Sequence, residues 1–285
     1  MPGVFVLIWS TGFIVARFAM PNAPTFTFLS IRYALSVVCF GLWIGAARAA
    51  WPVGRTQWMH LAVTGVLMHA AYLGGVWAAV KAGIGAGTVA LLVGLQPVLT
   101  ALWLSAVSSS GRTHAVTPRQ WTGLGLGLAG LILVVWRKLG AGEITAWNLG
   151  LAIVALIGIT AGTLYQKRFV SPCDVRTANT VQLLAALIVS LPLALWESEA
   201  IRWNATFLIA MAWSVVGLTL GGSSLLYLLI QRGAATRVTS LLYLVPPTTA
   251  LMAWAIFDEV LTGPMLLGMA LTAVGVALVV RAPQR

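Results

Sequence analysis

Ten apolar stretches of about twenty residues follow one another along 285 residues, separated only by short connections. Their approximate limits are 3–21, 25–46, 57–80, 84–107, 119–137, 147–170, 178–197, 203–230, 235–257 and 264–281. About 20 helical residues, rising roughly 1.5 Å each, cross about 30 Å of hydrocarbon. Inside that slab every backbone N–H and C=O must find its partner within the protein, and a helix does this segment by segment. An all-α polytopic membrane protein is the fold class that follows. Composition agrees: charged residues make up 8% of the chain, whereas a soluble domain carries about a quarter to cover its surface.

The net charge of +11 and a pI near 10.9 would suggest nucleic acid in a soluble protein. Here the cations lie singly or in pairs between apolar runs and form no basic face, so loops against anionic lipid explain them and no nucleic-acid partner is expected. With both termini inside, eleven cations fall on the cytoplasmic side: Arg48, Arg55, Arg112, Arg119, Lys167, Arg168, Arg176, Arg232, Arg237, Arg281 and Arg285. Five fall opposite, Arg17, Lys81, Arg137, Lys138 and Arg202. That bias places both termini in the cytoplasm. Of the acidic residues only Asp174 lies inside. The first run has no basic region before it and matches a later internal segment, so it is expected to be the first helix and not a signal peptide. Cys39 and Cys173 suggest neither a disulfide framework nor a metal cluster.

The chain also repeats itself. Gly83-Ile84-Gly85-Ala86-Gly87-Thr88, leading to Gln96-Pro97, returns as Gly233-Ala234-Ala235-Thr236-Arg237-Val238, leading to Pro246-Pro247. Ile8-Trp9-Ser10-Thr11-Gly12 aligns with Ile159-Thr160-Ala161-Gly162-Thr163, and Trp121-Thr122-Gly123 with Leu266-Leu267-Gly268. The offset is about 150 at the start and about 145 at the end, because Ser108–Val116 lengthens a connection in the first half. Each half, 1–140 and 141–285, holds five spans. Five is odd, so the second half enters the membrane from the opposite side: ten transmembrane helices form two inverted five-helix repeats, the plan of many secondary transporters.

Trp9-Ser10-Thr11-Gly12, Pro24 followed by Arg32, the two Gly-to-Pro spacings, and Phe257-Asp258-Glu259 before Gly268 and Gly275 together resemble the EamA family of the drug/metabolite transporter superfamily. The resemblance covers essentially the whole chain. It implies an inner-membrane carrier that exports small metabolites such as amino acids, including the aromatic amino acid exporter type. One departure stands out. The acidic residue expected before the fifth helix of each half is present as Glu259 but replaced by Ser108-Ser109-Ser110 in the first half, which puts a symmetric carboxylate pair in doubt.

A carrier of polar solutes must present hydrogen-bonding groups inside a low-dielectric slab, where unpaired ones are costly. His69, Gln96, Thr160 and Pro246 all count to near the midplane. His69 and Tyr72, one helical turn apart, form either a polar cavity wall or a histidine satisfied by a neighbouring helix. Trp9, Ser10, Phe13 and Tyr165 are candidate aromatic and polar walls for an organic substrate; Ser223, Ser224, Tyr227 and Tyr243 are further cavity candidates, unless their hydroxyls bond their own backbone. Trp51, Trp58, Trp121, Trp147 and Trp203 lie near helix ends, as interfacial belt residues do. Pro97, Pro246 and Pro247 free backbone carbonyls one turn back, and their recurrence in both halves favours a hinge or cavity lining over a packing kink.

Arg32 is the single charge well inside a span. It either snorkels to the outer interface, meets a substrate carboxylate, or ties a helix end. With no Asp or Glu inside any span, proton coupling would have to use His69, Glu259, substrate ionisation, or nothing. Gly125-x-Gly127-x-x-Gly130 matches a dinucleotide fingerprint but lacks the preceding strand; Gly123 and Gly127, with Gly268 and Gly275, read better as a close-packing seam between helices. His60, His69 and His114 have no metal-ligand spacing, and no cofactor, metal or catalytic group is expected. The function that follows is secondary transport of small organic metabolites, amino acids first, by alternating access through a central cavity. A cationic multidrug carrier and a non-transporting scaffold or receptor are the alternatives; the partners are a small-molecule substrate and the lipid bilayer.

Overall fold

The computed structural model describes residues 2–107, 118–140, 142–223, 225 and 244–280, and helix is the only regular structure among them. In chain order the helices are α1 (Pro2–Ala19), α2 (Thr25–Ala47), α3 (Arg55–Lys81), α4 (Ala86–Val93), α5 (Gln96–Val107) and α6 (Pro118–Gly140). They continue as α7 (Ala146–Phe169), α8 (Val175–Trp196), α9 (Ala205–Gly222), α10 (Val245–Phe257) and α11 (Gly263–Val280). Among the described residues five of them, α2, α3, α7, α8 and α9, are long and apolar enough by themselves to cross a membrane. The sequence led us to expect ten such helices. The fourth apolar run is two short helices, α4 and α5, and the ninth is described only from residue 244 onward.

The outer surface is that of a protein dissolved in lipid. Leu42, Ile188, Ile209 and Val216, all inside helices, are each more than 60% exposed, a distribution that water would penalise and hydrocarbon does not. Trp51, Trp58, Trp121, Trp147 and Trp203 are exposed near helix ends, where an amphipathic ring suits the headgroup level.

Inside, glycine decides which helices approach most closely. A Cβ on Gly130 would collide with the Gly268 carbonyl and come within 2.6 Å of Thr272 Oγ1; one on Gly275 would collide with the Gly123 carbonyl and meet the Gly127 backbone. Residues rising along α6 thus meet residues falling along α11, an antiparallel seam in which small residues let two backbones touch. The seam expected from Gly123, Gly127, Gly268 and Gly275 is the one that forms. α4 and α10 also cross antiparallel: Gly85 meets Glu259, Gly87 meets Ala250, and a Cβ on Gly94 would stand 2.7 Å from Pro246 Cγ. α2 and α8 make a third such pair. The start of α2 bonds to Glu197 at the end of α8, while Arg176 at the start of α8 lies 5.6 Å from the Trp43 ring near the end of α2.

The break between α4 and α5 falls at Gly94-Leu95, just before Gln96-Pro97. Pro97 has no N–H to give the carbonyl four residues back, and its ring crowds that carbonyl, so the turn before it cannot stay regular. Pro246 and Pro247 open α10, in the first turn, where no donor is needed.

Among the described residues two helical segments are not α-helical. Val66–Leu73 within α3 and Trp213–Gly222 within α9 are π-helical, with hydrogen bonds reaching five residues back. They lie at the repeat offset of about 145 to 150 residues, so the same irregularity occurs at equivalent places in both halves.

Candidate functional site

Arg32, in α2, reaches across to the π-helical part of α9. Its Nε and Nη2 donate to Thr219 Oγ1 at 3.2 and 3.1 Å, and that hydroxyl in turn donates to the Ser214 carbonyl at 2.8 Å. The guanidinium carbon stands 5.7 Å from the ring centre of Trp77, itself fully buried, and Arg32 is 5% exposed. The side chain therefore does not snorkel; it turns into the protein. Beside it, the Tyr33 hydroxyl donates to the His69 carbonyl at 2.8 Å, which the π turn leaves able to accept both this bond and the Gly74 N–H. His69 and Tyr72 are both close enough to feel the Arg32 charge.

The arrangement has a counterpart. Gln182 stands as far beyond the N-cap of α8, Asp174, as Arg32 does beyond the N-cap of α2, Pro24, and its side chain meets His69. Each half thus sends one polar side chain from its second span to the π segment of the other half. The sequence offered Arg32 as a lone internal charge, but Thr219, Trp77 and Gln182 carry no signal of their own, because π geometry leaves no mark in residue spacing.

The remaining candidates disperse. Tyr72 is buried beside the Arg32 group, with His69 partly buried on the same π turn. Ser10, fully buried, approaches the Val245 carbonyl at the head of α10, at 3.5 Å. Phe13 is core, and Trp9 packs against that core. Gln96 Nε2 donates to Thr163 Oγ1 at 3.0 Å, beside the Pro97 break, while Thr160 spends its hydroxyl on its own helix at Leu156. Tyr165 sits well away, its hydroxyl 2.8 Å from His60 Nδ1 in a cluster with Phe169. Ser224, Tyr227 and Tyr243 lie outside the described residues.

The two ends of the bundle are held differently. At the end formed by residues 20–25, 81–86, 142–148, 197–204 and 258–262, side chains of each half close onto the other. The N-caps of α2 and α4 are Pro24 and Gly85, which have no side-chain acceptor to offer the first-turn N–H groups. Glutamates from the second half supply it. Glu197 accepts from the N–H groups of Phe26 and Thr27 at 2.9 and 2.8 Å, and Glu259 from that of Ala86 at 3.0 Å. Their charge also suits the positive end of a helix dipole. Lys81 pairs with Glu199 at 2.7 Å, and Asn204 donates to Asn22 at 2.7 Å.

At the opposite end a cleft of about 570 Å³ opens between the connection Ala50–Gly54 with the start of α3 and residues 169–174, lined by Trp51, Gln57, His60, Phe169 and Asp174 among others. Hydrogen bonds to Arg176 hold the Asp174 carboxyl below the usual carboxylate range, and burial pushes the neighbouring Cys173 thiol up.

Two copies of one family domain cover nearly the whole chain: the EamA-like transporter family matches residues 4–136 and 146–281. The protein belongs to the EamA-like transporter family. It is 22% identical over 280 residues to a probable amino-acid metabolite efflux pump of Escherichia coli (strain K12), covering 95% of this chain and 90% of that one. It is 26% identical over 200 residues to the uncharacterized transporter YvbV of Bacillus subtilis (strain 168), covering 68% and 63%. A solved crystal structure shares the fold with a TM-score of 0.66 at 19% identity, over 98% of this chain and 95% of that one. This EamA-like protein is accordingly a multi-pass membrane transporter whose family resemblance was legible in its motifs.

Proposed function

We propose that this transporter exports small organic metabolites, amino acids foremost, by alternating access between two inverted five-helix halves, 1–140 and 141–285. The observation that carries the reading is the antiparallel packing of equivalent elements. The second and seventh spans, the fourth and ninth, and the fifth and tenth each lie against one another in opposite directions, as copies related by an axis in the membrane plane would. Ten spans with both termini in the cytoplasm of an inner membrane complete the topology, and the excess of Lys and Arg on that side supports it. In this orientation the end pinned by Glu197, Glu199 and Glu259 faces out and the cleft beside His60 faces the cytoplasm, an arrangement suited to loading from inside. The halves then rock about the Gly94-to-Pro97 break and the head of α10, where Gly94 and Pro246 touch. The efflux relative supports amino-acid export. Carriage of cationic drugs finds less support, because no predicted span contains a carboxylate to pair with a cation.

Flux in sealed proteoliposomes, across a panel of amino acids and cationic drugs with and without a pH gradient, tests this. Saturable movement of at least one amino acid is expected. Absence of flux for every compound would leave a scaffold or receptor, and flux of cations alone would replace the substrate class.

A further inference from the structure

We propose that Arg32 is the seat of a carboxylate group carried by the transported molecule, so that the substrate class is organic acids and zwitterions with a free carboxylate. The inference deepens the transporter reading and rests on it for what brings the ligand to the site.

The argument begins with the charge. A guanidinium stays ionised and has five N–H donors. Two of those of Arg32 share a single hydroxyl oxygen on Thr219, a poor use of a planar fork whose geometry matches a carboxylate bidentately. Among the described residues the guanidinium makes no further hydrogen bond and no ion pair. All six acidic residues of the chain lie in connections between helices, where Asp174 is engaged by Arg176, Glu197 and Glu259 by helix starts, and Glu199 by Lys81. A nearly buried cation without a counter-ion is costly inside a membrane and by default marks a site where something anionic arrives.

The neighbourhood repeats the pattern. His69 Nδ1, Ser214 Oγ and Ser36 Oγ are all enclosed and without a partner. Ser36 lies one turn along α2 from Arg32, Ser214 supplies the carbonyl that holds Thr219, and His69 feels the Arg32 charge. A structural core satisfies most such atoms; these three lie on the helices that meet at Arg32, although Thr88, Ser190 and Thr249, on α4, α8 and α10, are also enclosed without a partner. A carboxylate on the fork, with an adjacent ammonium or hydroxyl on the imidazole and serine oxygens, would satisfy the set. The two π segments sit on either side of this group, and π turns are found at functional sites because they offer backbone carbonyls that an α-helix would have used.

The test measures binding apart from flux. Ligand-induced thermal shifts of the purified protein are recorded with phenylalanine and leucine, and with their carboxamides, which keep the side chain and the amine but lose the carboxylate charge. The wild type should bind the acids at least about tenfold more tightly than the amides, as loss of a charge-assisted pair implies. Arg32→Gln should remove that preference, with Arg32→Lys in between, because it keeps the charge without the fork. Equal binding of acid and amide by the wild type, or an Arg32→Gln variant that weakens both alike, overturns the proposal. If Arg32→Gln does not fold, the wild-type comparison and Arg32→Lys still decide. Selective carboxylate binding without any flux in sealed vesicles would keep the site and remove the transporter reading, whereas flux of amides and cations without acid preference would do the reverse.

Discussion

At the scale of single residues, the chain places polar side chains where a neighbour's backbone has need of them. Asp174 is the local case. Its carboxylate accepts from the Arg176 N–H at 2.9 Å and from the Arg176 guanidinium, capping α8 at the cleft end. Asp174→Ala should cost about 1 kcal/mol through the lost cap. Because the native carboxyl is held below its ordinary range, the stabilisation is complete above the unfolded pKa, roughly pH 4, and disappears as pH falls through the lowered native value. Melting curves in detergent between pH 7 and 3 should therefore show wild type and variant separated at neutral pH and converging in acid. A constant separation at all pH values would mean that the carboxylate is not the source. Glu197 and Glu259 do the same work at a distance, and their targets follow from what Pro24 and Gly85 lack.

At the scale of helices, close approach is rationed to particular glycines. Gly130 and Gly125 lie on the same helix, yet a Cβ on Gly130 meets Gly268 and Thr272, whereas one on Gly125 meets nothing within 4 Å. Gly130→Ala should destabilise by about 1–3 kcal/mol, since backbone atoms must move to admit it. Gly125→Ala should leave stability unchanged or raise it by up to about 1 kcal/mol, through helix propensity. Thermal unfolding of both variants decides the matter, and equal effects would mean that α6 and α11 do not share this seam. Gly85 and Gly87 belong to the same logic, since Glu259 and Ala250 lie against them, whereas Gly83 has open space around it and is required by its φ of 98°.

At the scale of the whole molecule, the question is whether the pinned end must open. Asn204 and Asn22 join the halves there, side chain to side chain, at 2.7 Å. In a background with Cys39→Ala and Cys173→Ala, an Asn22→Cys, Asn204→Cys pair cross-linked by oxidation should lose most of its flux and regain it with reductant. Undiminished flux in the cross-linked protein would exclude separation of the halves at this end as a step in transport. The same experiment bears on the hinge, since rocking about the Gly94 and Pro246 contact requires this end to part.

Much of this was legible in the chain. Helix limits follow most of the apolar runs to within a few residues, because a span's length is set largely by the hydrocarbon it crosses; the fourth run is broken at Gly94-Leu95, before Pro97, and the eighth and ninth are described only in part. The family's motifs and the glycine seam were equally readable, since each depends on local spacing; of the doubled glycine-to-proline stretch the first copy is seen whole, whereas Gly233–Val238 of the second lies outside the described residues. The candidate site was only partly so. Arg32, His69 and Tyr72 converge, but Tyr165 goes with His60 and Thr160 bonds its own helix, because depth along a helix says nothing about which way a side chain faces. The sequence by itself determined how many apolar segments there are, how long they run and which repeat which. Only the tertiary structure decided that two equivalent helices wind into π turns, that Arg32 turns inward onto Thr219 and Trp77, and that glutamates of one half cap helices of the other. Those outcomes depend on contacts between residues roughly 45 to nearly 190 positions apart, whose energies no local pattern records.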